Sequence, residues 1–234
     1  MDHSTLSGNT AVDGGAIENS GGSARLDQGS LSGNSAAVYG GAIDNTTGTI
    51  TVDQSNFSGN SAALAGGAVS NGGTLTIAQC TLSGNTAGGD PFGIDSVGGA
   101  IENYGTLTVE QSTLSGNSAG VNGGAIWNNG LLTLDHSTLA DNTVSGGAGG
   151  AVFNFATVVL DHSSVSGNSA GLDGGGIHND SGASSGVPGS VTIRFSTVCG
   201  NSAPTGADLY NGGSATLQNS DVCLIDGGGP LTKQ

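Results

Sequence analysis

One phrase recurs along the chain at a spacing of about 25 residues, and a fixed period of that length decides architecture before any single residue does. It reads Ser-Thr-Leu-Ser-Gly-Asn-Ser/Thr-Ala, then Gly-Gly-Ala-Ile-x-Asn, then Gly-Thr-Leu-Thr-Val-Asp/Glu-Gln. Asn closes the first part at Asn9, Asn34, Asn60, Asn85, Asn117, Asn142, Asn168 and Asn201, so successive copies are offset by 25, 26, 25, 32, 25, 26 and 33 residues. The second part occurs as Gly-Gly-Ala-Ile at 14–17, 40–43, 98–101 and 123–126. Val replaces Ile at Val69 and Val152, and the eighth copy at 206–209 is degenerate. A second Asn follows each time, at Asn19, Asn45, Asn71, Asn103, Asn128, Asn154, Asn179 and Asn211. A residue present in most copies serves the repeat rather than a reaction.

Each copy holds three short runs of strand character between Gly, Asn and Ser turns. In Thr49-Ile50-Thr51-Val52, Thr74-Leu75-Thr76-Ile77 and Thr106-Leu107-Thr108-Val109, apolar residues alternate with Thr, so one face points in and the other out. Three strands per coil, eight to nine coils and one domain over residues 1–234 predict an all-β parallel β-solenoid. Coils about 4.8 Å apart make a rod roughly 40 Å long. Its interior is a set of ladders. Leu6, Leu31, Phe57, Leu82, Leu114, Leu139, Val165, Val198 and Val222 form one, and Ile17, Ile43, Val69, Ile101, Ile126, Val152, Ile177 and Leu209 another. The two Asn series line turns, where stacked amides bond one another and the backbone. The Gly-Gly pairs mark turns in which a Cβ would clash or φ is positive. No helix pattern or Lys follows them, which argues against a phosphate-binding loop. Two copies are longer, with insertions at 88–97 and 180–189 that become protruding loops from different corners.

Composition narrows the function. The 46 glycines have no three-residue period and only 4 prolines accompany them, which excludes a collagen-like chain. Net charge is -15, with Arg25, Arg194 and Lys233 as the cations. Such a chain is unsuited to nucleic acid or to anionic membranes, both of which need clustered positive charge. No apolar run approaches the roughly 20 residues of a membrane helix. No secretory signal follows Met1, and the chain opens inside a repeat, as a segment of a longer protein would.

Gly-Gly-Ala-Ile together with Phe-x-x-Asn, the latter literal in Phe57-Ser58-Gly59-Asn60 and with Leu or Val for Phe elsewhere, resembles the repeats of chlamydial polymorphic outer-membrane proteins. It is also similar to bacterial surface proteins with pectate-lyase-like β-helices. The resemblance covers residues 4–223. It implies a right-handed single-stranded β-helix, an extracellular or cell-surface location, and often adhesion. The family's membrane barrel has no counterpart here, so a secretion route does not carry over.

Several positions are candidates for function. The residue between the second-strand Ile and Asn runs Glu18, Asp44, Ser70, Glu102, Trp127, Phe153, His178, Tyr210, acidic early and aromatic late. Trp127, Phe153, His178 and Tyr210 are either an exposed stripe suited to a glycan or a host or neighbouring surface protein, or aromatics covered by a loop or subunit. Thr49, Thr51, Thr74, Thr76, Thr106, Thr108 and Thr133 form two rows on the third strand's outer face, about 7 Å apart along a strand and 4.8 Å between coils. They resemble the Thr-x-Thr array of ice-binding antifreeze proteins, although Leu131 and Val159 interrupt them. Ordinary Thr preference for exposed strands is the alternative.

Glu110, Asp135 and Asp161 stack on consecutive coils, as a solvated acidic row or an adventitious Ca²⁺ site; no cofactor is expected. Arg194 beside Asp161 is the best imitation of a polysaccharide lyase or hydrolase site, and nothing else converges on it. His3, His136 and His162 replace a repeat Gln, which marks a turn residue. Cys80 points inward as an inert thiol. Cys199 and Cys223 occupy one outward position on adjacent coils, within disulfide range but strained by in-register geometry, so bridged and free states both remain open. The expectation is a non-enzymatic adhesive or structural rod, with ice binding and a carbohydrate-active enzyme as alternatives. Open coil edges add a tendency to self-associate end to end.

Overall fold

A computed structural model of the protein describes residues 1–88, 96–183 and 186–234. Every strand pair in it is parallel, and each strand hydrogen-bonds to its equivalent one coil away. Three sheets of nine strands run the length of the rod, and a fourth, of seven strands, accompanies them over most of it. One coil reads Ser30–Ser32, Ser35–Ala36, Ile43–Asn45, Thr49–Asp53.

The expected three strands per coil are therefore corrected to four. The additional strand is the Ser/Thr-Ala pair just after the first Asn, as in Ser61–Ala62 pairing with Ser35–Ala36 and Thr86–Ala87. Two residues are too short to show a period of two, so the sequence alone merges them into the turn. The sheet stops at Ser169–Ala170, beyond which Ser202 adds only an isolated bridge.

The ladders hold in register. Leu31 pairs Phe57, Phe57 pairs Leu82, and the column runs on to Val222. Ile43, Val69, Ile101, Ile126, Val152, Ile177 and Leu209 are buried in a second column. Pairs such as Leu75/Ile77 and Leu132/Leu134 supply the third. These side chains form one continuous core. Each fully buried aliphatic residue contributes roughly 1.5–3 kcal/mol by leaving water.

Polar ladders close the corners. Asn34 donates from its backbone N and its Nδ2 to Asn60 Oδ1, both at 3.0 Å, and Nδ2 also reaches Leu6 O at 2.9 Å. The same arrangement repeats through Asn168 and Asn201. The column ends on buried Asp208, whose Oδ1 accepts from Asn201 N and Nδ2 at 2.9 Å each. Asp208 stands where the first six copies have the Ala of Gly-Gly-Ala-Ile/Val and the seventh has Gly176, and a carboxylate that only accepts fits the end of a row of donors. The second Asn column runs from Asn19 to Asn211, which donates to Pro230 O at 3.1 Å.

A Ser column also runs the rod. Backbone N–H groups of Gly29, Cys80, Ser112, Ser137 and Ser163 donate to the hydroxyls of Ser55, Ser112, Ser137, Ser163 and Ser196 on the next coil. Cys80 takes the same place, with Ser55 N donating to its Sγ. Its thiol is buried and free, and burial pushes its pKa up to about 11, so it stays protonated and inert. The residue just before this Ser has positive φ throughout: Gln28, Gln54, Gln79, Gln111, His136, His162, Phe195 and Asn219 lie between 46° and 50° or at 53°.

Cys199 and Cys223 are bridged, with Cα atoms 5.1 Å apart on adjacent coils. The insertion at 88–97 falls mostly on residues 89–95, outside the described residues, as do 184–185 of the insertion at 180–189. The described part of the latter closes on Asp180, whose carbonyl accepts from Gly189 N at 2.9 Å and whose Oδ1 accepts from Gly182 N at 2.7 Å.

Candidate functional site: a cleft on the second-column face

The variable residue between Ile and Asn lies on the outer side of its sheet, and pairing puts Glu18, Asp44, Ser70, Glu102, Trp127, Phe153, His178 and Tyr210 in one row. Asp44, Ser70, Glu102 and Trp127 of this row form the floor of a cleft. One rim comes from the residue before each Gly-Gly, where Tyr39, Ala65, Val97, Asn122 and Ala148 are joined by parallel bridges. The other comes from the residue after the second Asn, where Thr46, Tyr104 and Phe155 stand. Tyr39, Glu102, Tyr104, Val121, Trp127 and Phe155 line a groove of about 360 Å³. An adjoining groove of about 230 Å³ shares Tyr39, Glu102 and Tyr104 and adds Asp44, Thr46 and Ser70.

The aromatic stripe is covered by the chain itself. Trp127, Phe153 and His178 are only 9%, 6% and 8% exposed, and Tyr210 is half-buried. Tyr104 packs on Trp127 at 5.0 Å between ring centroids, and Phe155 packs on Trp127 at 5.5 Å and on Phe153 at 4.9 Å. His178 is sandwiched between Phe153 at 4.5 Å and Tyr210 at 4.8 Å with near-parallel rings. Its pKa is lowered, first by desolvation, against the pull of Asp180 and Asp173, so it stacks as neutral imidazole at pH 7. The most exposed aromatic side chains of the cleft are Tyr39 and Tyr104, 41% and 54% exposed. The sequence reading passed over both. The signal was available: at their repeat positions the other copies carry small, polar or aliphatic residues, apart from Phe155.

Two carboxylates sit in the cleft. Ser70 Oγ donates to Glu102 Oε2 at 3.1 Å, and Glu102 is buried. Asp44 also interacts with Ser70, and Thr46 Oγ1 donates to Asp44 Oδ2 at 3.2 Å. Asp44's pKa is raised, first by desolvation and then by Asp13 and Glu18, with its hydrogen bonds opposing.

The remaining candidates lie on the Thr-x-Thr sheet. Thr49, Thr74 and Thr106 are in register and exposed; Thr51, Thr76, Thr108 and Thr133 are in register and half-buried. Leu131 and Val159 interrupt the rows at Thr106 and Thr133. Glu110, Asp135 and Asp161 pair on successive coils, and Asp135 and Asp161 have side-chain partners of their own. Arg194 Nη2 is 3.5 Å from Asp161 Oδ2, while His136 Nδ1 and His162 Nδ1 lie 2.7 and 2.8 Å from Asp135 and Asp161. The two imidazoles stack at 4.7 Å, and Phe195 extends the stack. Asp135, His136 and His162 hold their ligand atoms within 4.8 Å of one another. Arg194 is thus tied to a carboxylate, and the cleft is on a different sheet.

Four parallel sheets, in-register apolar and Asn columns and a coil of roughly 26 residues define a parallel β-solenoid repeat protein. Within it, residues 111–129 match the Chlamydia polymorphic membrane protein repeat, a stretch that carries Asn117, the Gly-Gly-Ala-Ile at 123–126, Trp127 and Asn128. No curated protein and no solved structure matches the chain.

Proposed function

We propose that this chain is a non-enzymatic adhesive rod, a right-handed β-helix of a bacterial surface or secreted protein, which presents the Tyr39–Tyr104–Trp127 cleft to a ligand. The cleft carries this reading: two exposed tyrosines and two carboxylates gather on one face of an otherwise uniform scaffold. The matched repeat supports a surface location. The Cys199–Cys223 bridge suits an oxidising compartment. A right-handed coil accords with the strong preference for right-handed crossovers between parallel strands. The sheet-edge strands at the two ends support end-to-end self-association as a secondary property.

The test is saturable attachment of labelled protein to mucin-coated and epithelial-cell surfaces. Tyr39→Ala/Tyr104→Ala should weaken attachment about tenfold or more, as loss of exposed aromatic contacts does. Equal attachment by the double variant rejects the cleft as the adhesive surface.

A second reading has its own observation, the unbroken register of Thr49/Thr51, Thr74/Thr76 and Thr106/Thr108. Ice binding would give thermal hysteresis that Thr76→Tyr/Thr108→Tyr abolishes. Freezing-point behaviour equal to that of an ordinary acidic protein removes this reading.

A further inference from the structure

We infer that the cleft takes a neutral oligosaccharide built of pyranose rings, held against the exposed rings of Tyr39 and Tyr104 beside Trp127 and hydrogen-bonded by Asp44 and Glu102. This rests on the adhesive reading above and names its ligand.

Shape comes first. The groove of about 360 Å³ and its neighbour of about 230 Å³ meet at Tyr39, Glu102 and Tyr104. Together they make a trough across consecutive coils, within the size range of small-ligand pockets. A short linear chain of rings fits a trough better than a compact ligand does.

Both grooves mix apolar and polar walls. Trp127, Phe155, Val121 and Val97 stand beside Glu102 and Asn122 in one, and Tyr39 and Tyr104 beside Asp44, Thr46 and Ser70 in the other. A pyranose ring carries the same mixture, with C–H faces and a perimeter of hydroxyl donors. C–H faces pack on the negative faces of aromatic rings. Ionised carboxylates accept only, so they meet hydroxyl donors with charge-assisted bonds.

Charge decides between sugars. Neither groove is lined by Lys or Arg, and the chain's net charge is -15. Uronate, sulfated and sialylated glycans would have to bring anions beside Asp44 and Glu102, where like charges repel. A basic peptide would satisfy the charge. However, Glu102 is 4% exposed and already bonded to Ser70, a geometry that serves short hydrogen bonds better than capture of a hydrated ammonium.

The protein carries its own reporter, because Trp127 is its single tryptophan and lines the groove. Trp127 emission and calorimetry would be followed during titration with cellotetraose, mannotetraose and tetra-N-acetylchitotetraose. Tetragalacturonate and tetralysine are the charged comparisons. At least one neutral tetrasaccharide should saturate both signals in the millimolar range or below. Tyr104→Ala should weaken that binding about tenfold, equivalent to ~1.4 kcal/mol, and, because Tyr104 also packs on Trp127, should lower the melting temperature by a few degrees. Tyr39→Ala supplies a second variant. The inference is overturned if no neutral tetrasaccharide saturates either signal, if tetragalacturonate or tetralysine binds more tightly, or if both variants bind as the wild type does. Surface attachment that still depends on Tyr39 and Tyr104 after such a result would leave the adhesive reading standing and transfer the ligand to a protein. Loss of both would end both.

Discussion

Asn117→Ala is expected to destabilise the rod by roughly 4 kcal/mol or more, close to the whole stability of an ordinary domain. The Asn117 side chain is fully buried and makes four hydrogen bonds. Its Oδ1 accepts from Asn85 N at 3.0 Å and Asn85 Nδ2 at 2.9 Å; its Nδ2 donates to Asn142 Oδ1 at 2.9 Å and Leu82 O at 3.0 Å. Truncation leaves two donors of Asn85 and the Leu82 carbonyl without these partners, in a corner that water does not reach. Each such orphan costs about 1–3 kcal/mol. A solenoid's stability is a sum over neighbouring coils, so the damage should be local before it is global. Hydrogen exchange should rise first in the coils holding Asn85, Asn117 and Asn142, and the urea midpoint should fall. Asn129→Ala is the control. Asn129 is exposed, and its loss should stay within about 0.5 kcal/mol. Similar midpoints for the two variants would refute the ladder's energetic role.

Gly124→Ala is expected to be of similar severity for a steric reason. A Cβ there would meet the Gly150 carbonyl, with Thr143 N at 2.7 Å and Thr143 O at 2.8 Å. All three are backbone atoms of the next coil, which cannot rotate aside as a side chain does. The coils would have to separate locally, breaking hydrogen bonds that run in register along the rod, at a cost of about 3 kcal/mol or more. Gly116→Ala separates crowding from backbone conformation. Gly116 has φ +62° but nothing within 4 Å of the added methyl, so it should lose only the ~1–2 kcal/mol of a left-handed alanine. Soluble, folded Gly124→Ala with a melting temperature above that of Gly116→Ala would contradict close coil packing at this turn.

How much of this was legible depends on whether a residue's surroundings repeat with it. The inward columns, the Asn series, the alignment of Thr49 with Thr74 and Thr106, and the adjacency of Cys199 and Cys223 all follow from writing the copies one above another. In a solenoid a residue's nearest neighbour is its own equivalent one coil away, so register in the sequence becomes contact in space. The Ser-Ala strand escaped because two residues show no alternation. The Ser column escaped because a Ser beside a turn looks like ordinary turn chemistry until its hydroxyl is seen accepting from the next coil. Cys80, an inward residue at the same position, is the one sequence sign of that column.

The candidate site divides along the same line. The repeat register alone puts Asp44, Ser70, Glu102, Trp127 and Phe153 on one face, because they share one repeat position. Which of them floor a cleft, and what walls it, follows from the fold. Whether Trp127 meets solvent depends on Tyr104 and Phe155, which come from the following turn, and the opposite rim is supplied by Tyr39 and Val97 from the preceding one. These rim residues are not shared by the copies, so the period that fixes the coil carries no information about them. Their convergence depends on where two turns lead the backbone at each corner, and the linear sequence states that nowhere.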